Sequence, residues 1–287
     1  MSGAAGDAVA SSPTPTARFL RGLARAAGGA LVFALPLWMT EETWHLGYTI
    51  HPGRLALFLA LAFPMLVALS HVSGFEATPR LRDDARDACV AWLVGFGMAA
   101  AGLLLLGVLG AGDSPREGMG RVALLAVPGS MGALLAQSQL DAGGGGGDGA
   151  TEQVKRPPTY AGQLVVMLVG ALFLGFNIAP THEVALVAYG ISARHALAVV
   201  AASLGVMHAF VYALQVGGGE APGPDAPAWG AFLRYTVPGY AVALGVCALV
   251  LWTFGRFDGV GAAVALRMLV VLGFPAAVGA AAARLLL

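Results

Sequence analysis

Glu42 and Glu183 stand where acids are costly. In WMTEETWHLGYTI, residues 38–50, Glu41 and Glu42 follow a long apolar run, and in APTHEVALVAYG, residues 179–190, His182 and Glu183 do the same. Carboxylates and imidazoles bind small cations or exchange protons, and ionisable groups at membrane depth are usually functional. The expected ion or proton site is therefore Glu42 and Glu183, with Glu41, His182 and the threonines that open each motif, Thr40 and Thr181. Two glutamates facing each other across a hydrated cavity would have at least one pKa raised by burial and like charge. Arg121 and Arg267 begin later apolar runs, seven and eight residues before Pro128 and Pro275, and are the candidate counter-charges. A plainer reading stands beside each of these. Acids in a helix's first turn satisfy its free N–H groups and dipole, Trp44, His45 and Tyr48 suit a bilayer interface, and arginines at helix ends snorkel to headgroups.

The elements that must carry these residues are short. After Pro180, THEVALVAY reads as a new helix with Thr181 as cap, Glu183 in its first turn, Gly190 as its stop and Ser192 as cap of the next helix. TEETWHLGY is its counterpart, with Thr40 as cap. About nine residues at 1.5 Å each reach only about 14 Å, under half a bilayer core of about 30 Å. Such a segment either dips into one leaflet or lies along its surface.

Around them the chain is greasy. Of 287 residues 57% are hydrophobic and 11% charged, with mean hydropathy +0.75, whereas a soluble domain carries roughly 25% charged residues. Eight apolar runs near 19–40, 54–73, 88–110, 119–139, 160–179, 194–216, 229–254 and 260–286 are each long enough to span a bilayer. An all-α polytopic bundle embedded in lipid follows. A net charge of zero argues against a nucleic-acid partner. Cys89 and Cys247 sit in apolar runs without CxxC spacing and read as packing residues, so neither a metal site nor a cofactor is expected.

Residues 1–17 read as a disordered tail and 141–159 as a glycine-rich linker between two units, 18–140 and 160–287. With both termini cytoplasmic, ten of the sixteen basic residues fall inside, among them Arg18, Arg21 and Arg25 before the first span. The expected location is the bacterial inner membrane. A shift of 141 residues lays GALVFALPLWMTEETWHLGYTI on GALFLGFNIAPTHEVALVAYGI, matching Thr40 with Thr181, Glu42 with Glu183, Tyr48 with Tyr189 and Ile50 with Ile191. A weaker echo links Pro128 and Gly132 with Pro275 and Gly279. Two pseudo-symmetric repeats of four spans follow, related by an axis along the membrane normal.

Enzyme motifs are incomplete. HEVAL starts like HExxH but places Leu186 at the second ligand position. EETWHL is similar to the start of the glutamate-type intramembrane protease motif, but Leu46 replaces its arginine and no histidine has a phenylalanine four residues before it. No GxSxG or phosphate loop occurs, so the chain is not expected to be an enzyme.

Across roughly residues 25–285 the chain resembles a bacterial family of integral membrane proteins of unknown function. The resemblance rests on Leu35-Pro36, Thr40-Glu41-Glu42, Trp44 and Leu46-Gly47 in the first half. In the second it rests on Phe176-Asn177, Ala179-Pro180-Thr181-His182-Glu183 and the MHAFVYA run, Met207–Ala213. His182 stands where the family pattern has a second glutamate. The resemblance implies the fold and orientation and brings no activity. The functional expectation is passage of protons or small cations between the repeats, in a protein that sits in lipid and can form a homo-oligomer. The alternative is a non-transporting scaffold subunit whose glutamates are helix caps.

Overall fold

The computed structural model describes residues 14–73, 81–110, 112–141, 159–216 and 228–286, which form helices and short connections with no strand among them. Most of the expected tail and of the linker lies outside these residues. The chain runs α1 (Pro15–Trp38), α2 (Glu41–Thr49), α3 (Pro52–Ser73), α4 (Leu81–Leu105) and α5 (Pro115–Asp141). It continues through α6 (Tyr160–Ile178), α7 (Glu183–Gly190), α8 (Ala193–Val216), α9 (Ala228–Ala231), a π-helical turn (Phe232–Thr236), α10 (Val237–Thr253) and α11 (Ala262–Leu286). Eight stretches among the described residues are long and apolar enough to cross a bilayer, each coinciding with an expected span. Leu93, Leu105 and Leu197 are 72%, 86% and 70% exposed. Apolar side chains this exposed on helices of this length face lipid. This is a multi-pass integral membrane protein.

Local chemistry sets the helix ends. The fourth span starts at Pro115, four residues earlier than its apolar run, because Ser114 and Glu117 form a reciprocal capping box. Thr14, Thr159 and Ser192 each accept a backbone N–H at the start of α1, α6 and α8. Helices α4 and α10 both end on a left-handed glycine, Gly107 and Gly255, each with φ +69°. In each case the glycine N–H donates three residues back and the next N–H five residues back. That paired bonding satisfies carbonyls which a helix end leaves free. In the π-helical turn, Pro238 has no N–H to offer the Arg234 carbonyl, and the Tyr160 hydroxyl donates to it instead at 2.8 Å.

Close backbone approach holds the spans together. Helix α1 crosses α5 where Gly29 meets Gly132, and α6 crosses α11 where Gly170 meets Gly279. A Cβ on any of the four would overlap the carbonyl oxygen of its opposite number. Without a hydrophobic driving force inside lipid, such small-residue contacts supply the packing. The first half, α1–α5, meets the second along a seam where α3 and α1 face α6 and α10. Phe58 stacks on Phe176 at 5.7 Å, Phe176 meets Phe254 edge-on at 5.3 Å and Phe33 lies 4.3 Å from Phe173. Phe58 and Phe176 are each 1% exposed, so the seam is closed at this level.

Candidate functional site

Helix α2 starts at Glu41 as its sequence predicts, with both acids in the first turn. Thr40 occupies the cap position in an extended conformation, but its hydroxyl donates to the Pro36 carbonyl at 2.8 Å and caps nothing. The expected side-chain cap is absent because α1 ends at Trp38 and the Thr40 N–H bonds Leu37, which leaves the Pro36 carbonyl for the hydroxyl. In the second motif the helix begins later. Thr181 is not its cap: His182 holds that place, without a side-chain bond, and Glu183 is the first helical residue. The Thr181 hydroxyl donates to the Ile178 carbonyl at 2.8 Å, satisfying the end of α6 instead. Both short helices stop as expected, and Ile50 and Ile191 lead into the next spans in extended conformation.

The two short helices are seated alike but dressed differently. Helix α2 packs on the first turns of α5, where Gly47 lies against the Arg121 backbone and Gly120. Its buried side is Thr43, Leu46 and Gly47, leaving Glu41, His45 and Thr49 exposed, a polar outer face. Helix α7 packs on α11 with Val184 and Ala188 buried, and it exposes Leu186 and Tyr189. Trp44 donates its indole N–H to the Trp38 carbonyl at 2.8 Å, and His45 is hydrogen-bonded to Tyr48.

The charged groups pair in ways the sequence does not predict. Arg121 donates to Asp113 Oδ1 and to the Val108 carbonyl, each at 2.9 Å, and lies 5.1 Å over the Tyr48 ring. Its ion pair is with Asp113, not with Glu42, because Asp113 is tethered eight residues away in the α4–α5 connection. Arg267 is half-buried near the start of α11 and has no ion-pair partner among the described residues. The arginine that feels Glu42 is Arg256, in the α10–α11 connection. Burial pushes its guanidinium pKa down and the negative charge of Glu42 pushes it back up. Arg256 also donates to the Pro180 carbonyl, between α6 and α7. Its Nε is buried with no hydrogen-bond partner, as is Oδ1 of Asn177 in the last turn of α6. Glu183 is exposed, and its pKa is lowered by the neighbouring Thr181 side chain first and by its own backbone N–H, with His182 adding to the effect. That shift is opposite to the one expected of two glutamates crowded together.

Next to Arg256, at Gly255, a polar cavity of about 520 Å³ opens between the halves. Thr49, His51 and Arg54 line it from the first half, and Thr253, Phe254 and Asp258 from the second. Arg54 spans the seam with a two-pronged bond to Asp258, 2.7 and 2.9 Å, while lying 5.1 Å over Trp252. Phe254 in its lining meets Phe176 edge-on, so the cavity abuts the aromatic seal. Sequence reasoning misses Arg54, Arg256 and Asp258, since their partners are far off in the chain: 204 residues separate Arg54 from Asp258 and 76 separate Arg256 from Pro180. It also misses Asp84, which is 2% exposed and bonded at 2.9 Å to His71 at the opposite end of the bundle.

Residues 22–287 match the model of a family described as "Putative integral membrane protein (DUF2391)". The chain belongs to that family. No curated protein and no solved structure matches it. The family match takes in both short helices, the seam and every residue of the site just described, and its description carries no reaction or cargo.

Acid should loosen one part of this site in a defined way. Asp113 has its pKa lowered first by the Gly110 N–H and then by Arg121, and Asp258 by Arg54, both from an ordinary value of 3.8. Groups with depressed pKa stabilise the fold fully above the unfolded value and lose that contribution as pH falls through the folded value. The thermal midpoint should therefore drop below about pH 4. The Asp113→Asn/Asp258→Asn double variant, followed by circular dichroism, should show a shallower drop over that window. An unchanged slope would remove these two carboxylates from the acid response.

Proposed function

We propose that the protein translocates protons, or failing that small cations, along the seam between two duplicated four-span halves of a bacterial inner-membrane protein with cytoplasmic termini. The observation that carries the reading is the charged seam, where Glu42 and Arg256 come from opposite halves and Arg54 bonds Asp258. Glu42 of the first half lies in the field of Arg256 of the second, and the Arg54–Asp258 bond crosses the seam in a polar cavity whose lining Phe254 meets the aromatic seal. Duplication is supported by the matching Gly29–Gly132 and Gly170–Gly279 crossings, the identical left-handed endings at Gly107 and Gly255, and the extended exits at Ile50 and Ile191. Protons are favoured over metal cations on charge grounds. Arg54 offsets Asp258 in the lining, so the cavity holds no surplus negative charge to draw a metal cation out of water.

In this reading Glu42 is the proton-exchanging group and Arg256 its fixed counter-charge. Protonation of Glu42 releases the electrostatic hold between the halves while the Arg256–Pro180 bond persists. The Arg54–Asp258 bridge fastens the short-helix end, and the phenylalanines keep the two sides of the membrane apart until the halves shift. The test is purified protein in liposomes under a pH gradient with an internal pH dye. Wild-type protein should collapse the gradient, and Glu42→Gln should slow that collapse at least tenfold while the thermal midpoint survives. Glu183→Gln shows whether the second motif contributes a proton site of its own. Wild-type vesicles that hold proton, sodium and potassium gradients like empty ones would leave a scaffold subunit as the standing account.

A further inference from the structure

Beyond the seal, toward the end of the bundle that holds the termini, the four spans α1, α5, α6 and α11 enclose a second cleft of about 800 Å³. Gly28, Val32 and Phe33 line it from α1, Leu135 from α5, Leu174 from α6 and Ala282 from α11. The wall is apolar except at one edge, where Arg25 enters the lining. Arg21, one turn earlier on α1, is exposed. From Ala26 to Thr40 the chain carries no further charge, so Arg25 marks the headgroup boundary of this helix.

We infer that this cleft is a lipid site, holding one acyl chain of an anionic phospholipid whose headgroup lies at Arg25. Three features fit that occupant. The depth from Arg25 to Phe33 is eight residues, about 12 Å of helix rise, close to the roughly 15 Å of one leaflet's hydrocarbon. The volume lies within the range of about 300–1,000 Å³ of sites for a single small molecule. The charge sits at one end only, matching a ligand with an anionic head and an apolar tail. A water-filled continuation of the polar cavity does not fit, because a carbon-lined pocket of this kind stays dry. The inference does not rest on transport: a scaffold protein with this cleft would hold the same lipid.

Gly28 provides a clean test. A Cβ there meets nothing within 4 Å, so Gly28→Leu fills the cleft without forcing the helices apart. Gly97, on the exposed face of α4 and equally open, supplies the control Gly97→Leu. The purified full chain is incubated with dioleoyl-phosphatidylglycerol or dioleoyl-phosphatidylcholine and examined by native mass spectrometry. Wild type and Gly97→Leu should retain one phosphatidylglycerol per chain, Gly28→Leu at least tenfold less, and Arg25→Gln should lose the preference for phosphatidylglycerol over phosphatidylcholine. Equal retention by Gly28→Leu and Gly97→Leu overturns the inference. So does a Gly28→Leu variant that dissociates a homodimer without losing lipid, since the cleft would then be an interface between copies. Should Gly28→Leu fail to fold, wild-type protein is photolysed with phosphatidylglycerol carrying a diazirine at the acyl terminus. Adducts concentrated on Val32, Phe33 and Leu174 support the site, and adducts spread evenly over exposed residues such as Leu93 and Leu197 refute it.

Discussion

Gly29→Ala, Gly132→Ala, Gly170→Ala and Gly279→Ala are each expected to destabilise the protein by about 2–3 kcal/mol, the cost of forcing extra volume into a close-packed contact. The reason is geometric. An added methyl on Gly29 overlaps the Gly132 carbonyl oxygen and Ala136 Cβ, and one on Gly170 overlaps the Gly279 carbonyl oxygen and Ala283 Cβ. Backbone atoms cannot turn aside as a side chain can, so the two helices must separate along their whole crossing. Gly28→Ala, one residue from Gly29, should do the opposite. Its methyl meets nothing, and alanine favours a helix over glycine by up to about 1 kcal/mol. Unfolding of the purified variants by a denaturing detergent, read by circular dichroism, separates the two classes. Equal losses at Gly29 and Gly170, and at Gly132 and Gly279, would strengthen the case for duplicated halves. Losses confined to one half would mean that only one of the crossings is held by contact, and the repeat would then be a matter of sequence alone.

What the sequence discloses and what it hides divide along chain separation. The eight spans are legible because each needs about twenty apolar residues in a row, a local property. The short helices are legible for the same kind of reason: Glu41 and Glu42, then Glu183, sit where helices begin, and Thr49-Ile50 and Gly190-Ile191 where they end. The thresholds between elements are less so. Thr40 and Thr181 look like caps, yet each turns its hydroxyl back to the preceding span, to Pro36 and Ile178, since a helix end also has free carbonyls to satisfy. Pairing of charges is hidden altogether. Glu42 and Arg121 share an end of the bundle, which is why their pairing is a fair expectation, but Asp113 is nearer along the chain and reaches Arg121 first. Arg256 looks like an ordinary loop arginine after Gly255. Only the fold sets it against Pro180 and within the field of Glu42. Asp84 is hidden by its company: among Arg82, Asp83 and Arg86 it resembles one more surface charge at the start of α4, and only the approach of His71 from α3 buries it.

Arg256→Gln is expected to lower stability by about 2 kcal/mol, less than for a fully buried pair because the guanidinium is half-exposed. The loss has two parts that a double-mutant cycle pulls apart. One is the hydrogen bond to the Pro180 carbonyl, which vanishes whatever stands at position 42. The other is the attraction to Glu42, which is absent once Glu42→Gln has been made. In the Glu42→Gln background, Arg256→Gln should therefore cost about 1 kcal/mol less than in wild type. Additivity within about 0.5 kcal/mol would show that the two groups do not couple, and with that the proton reading loses its foundation. Arg256→Lys adds a further distinction. Lysine keeps the charge but lacks the planar fork whose Nη2 reaches the Pro180 carbonyl. It should retain the coupling to Glu42 and lose the tie to Pro180. If the Glu42→Gln/Arg256→Gln double variant folds, weakened only by the lost Pro180 bond, yet moves no protons, the two charges belong to the transport step and not merely to the architecture that surrounds it.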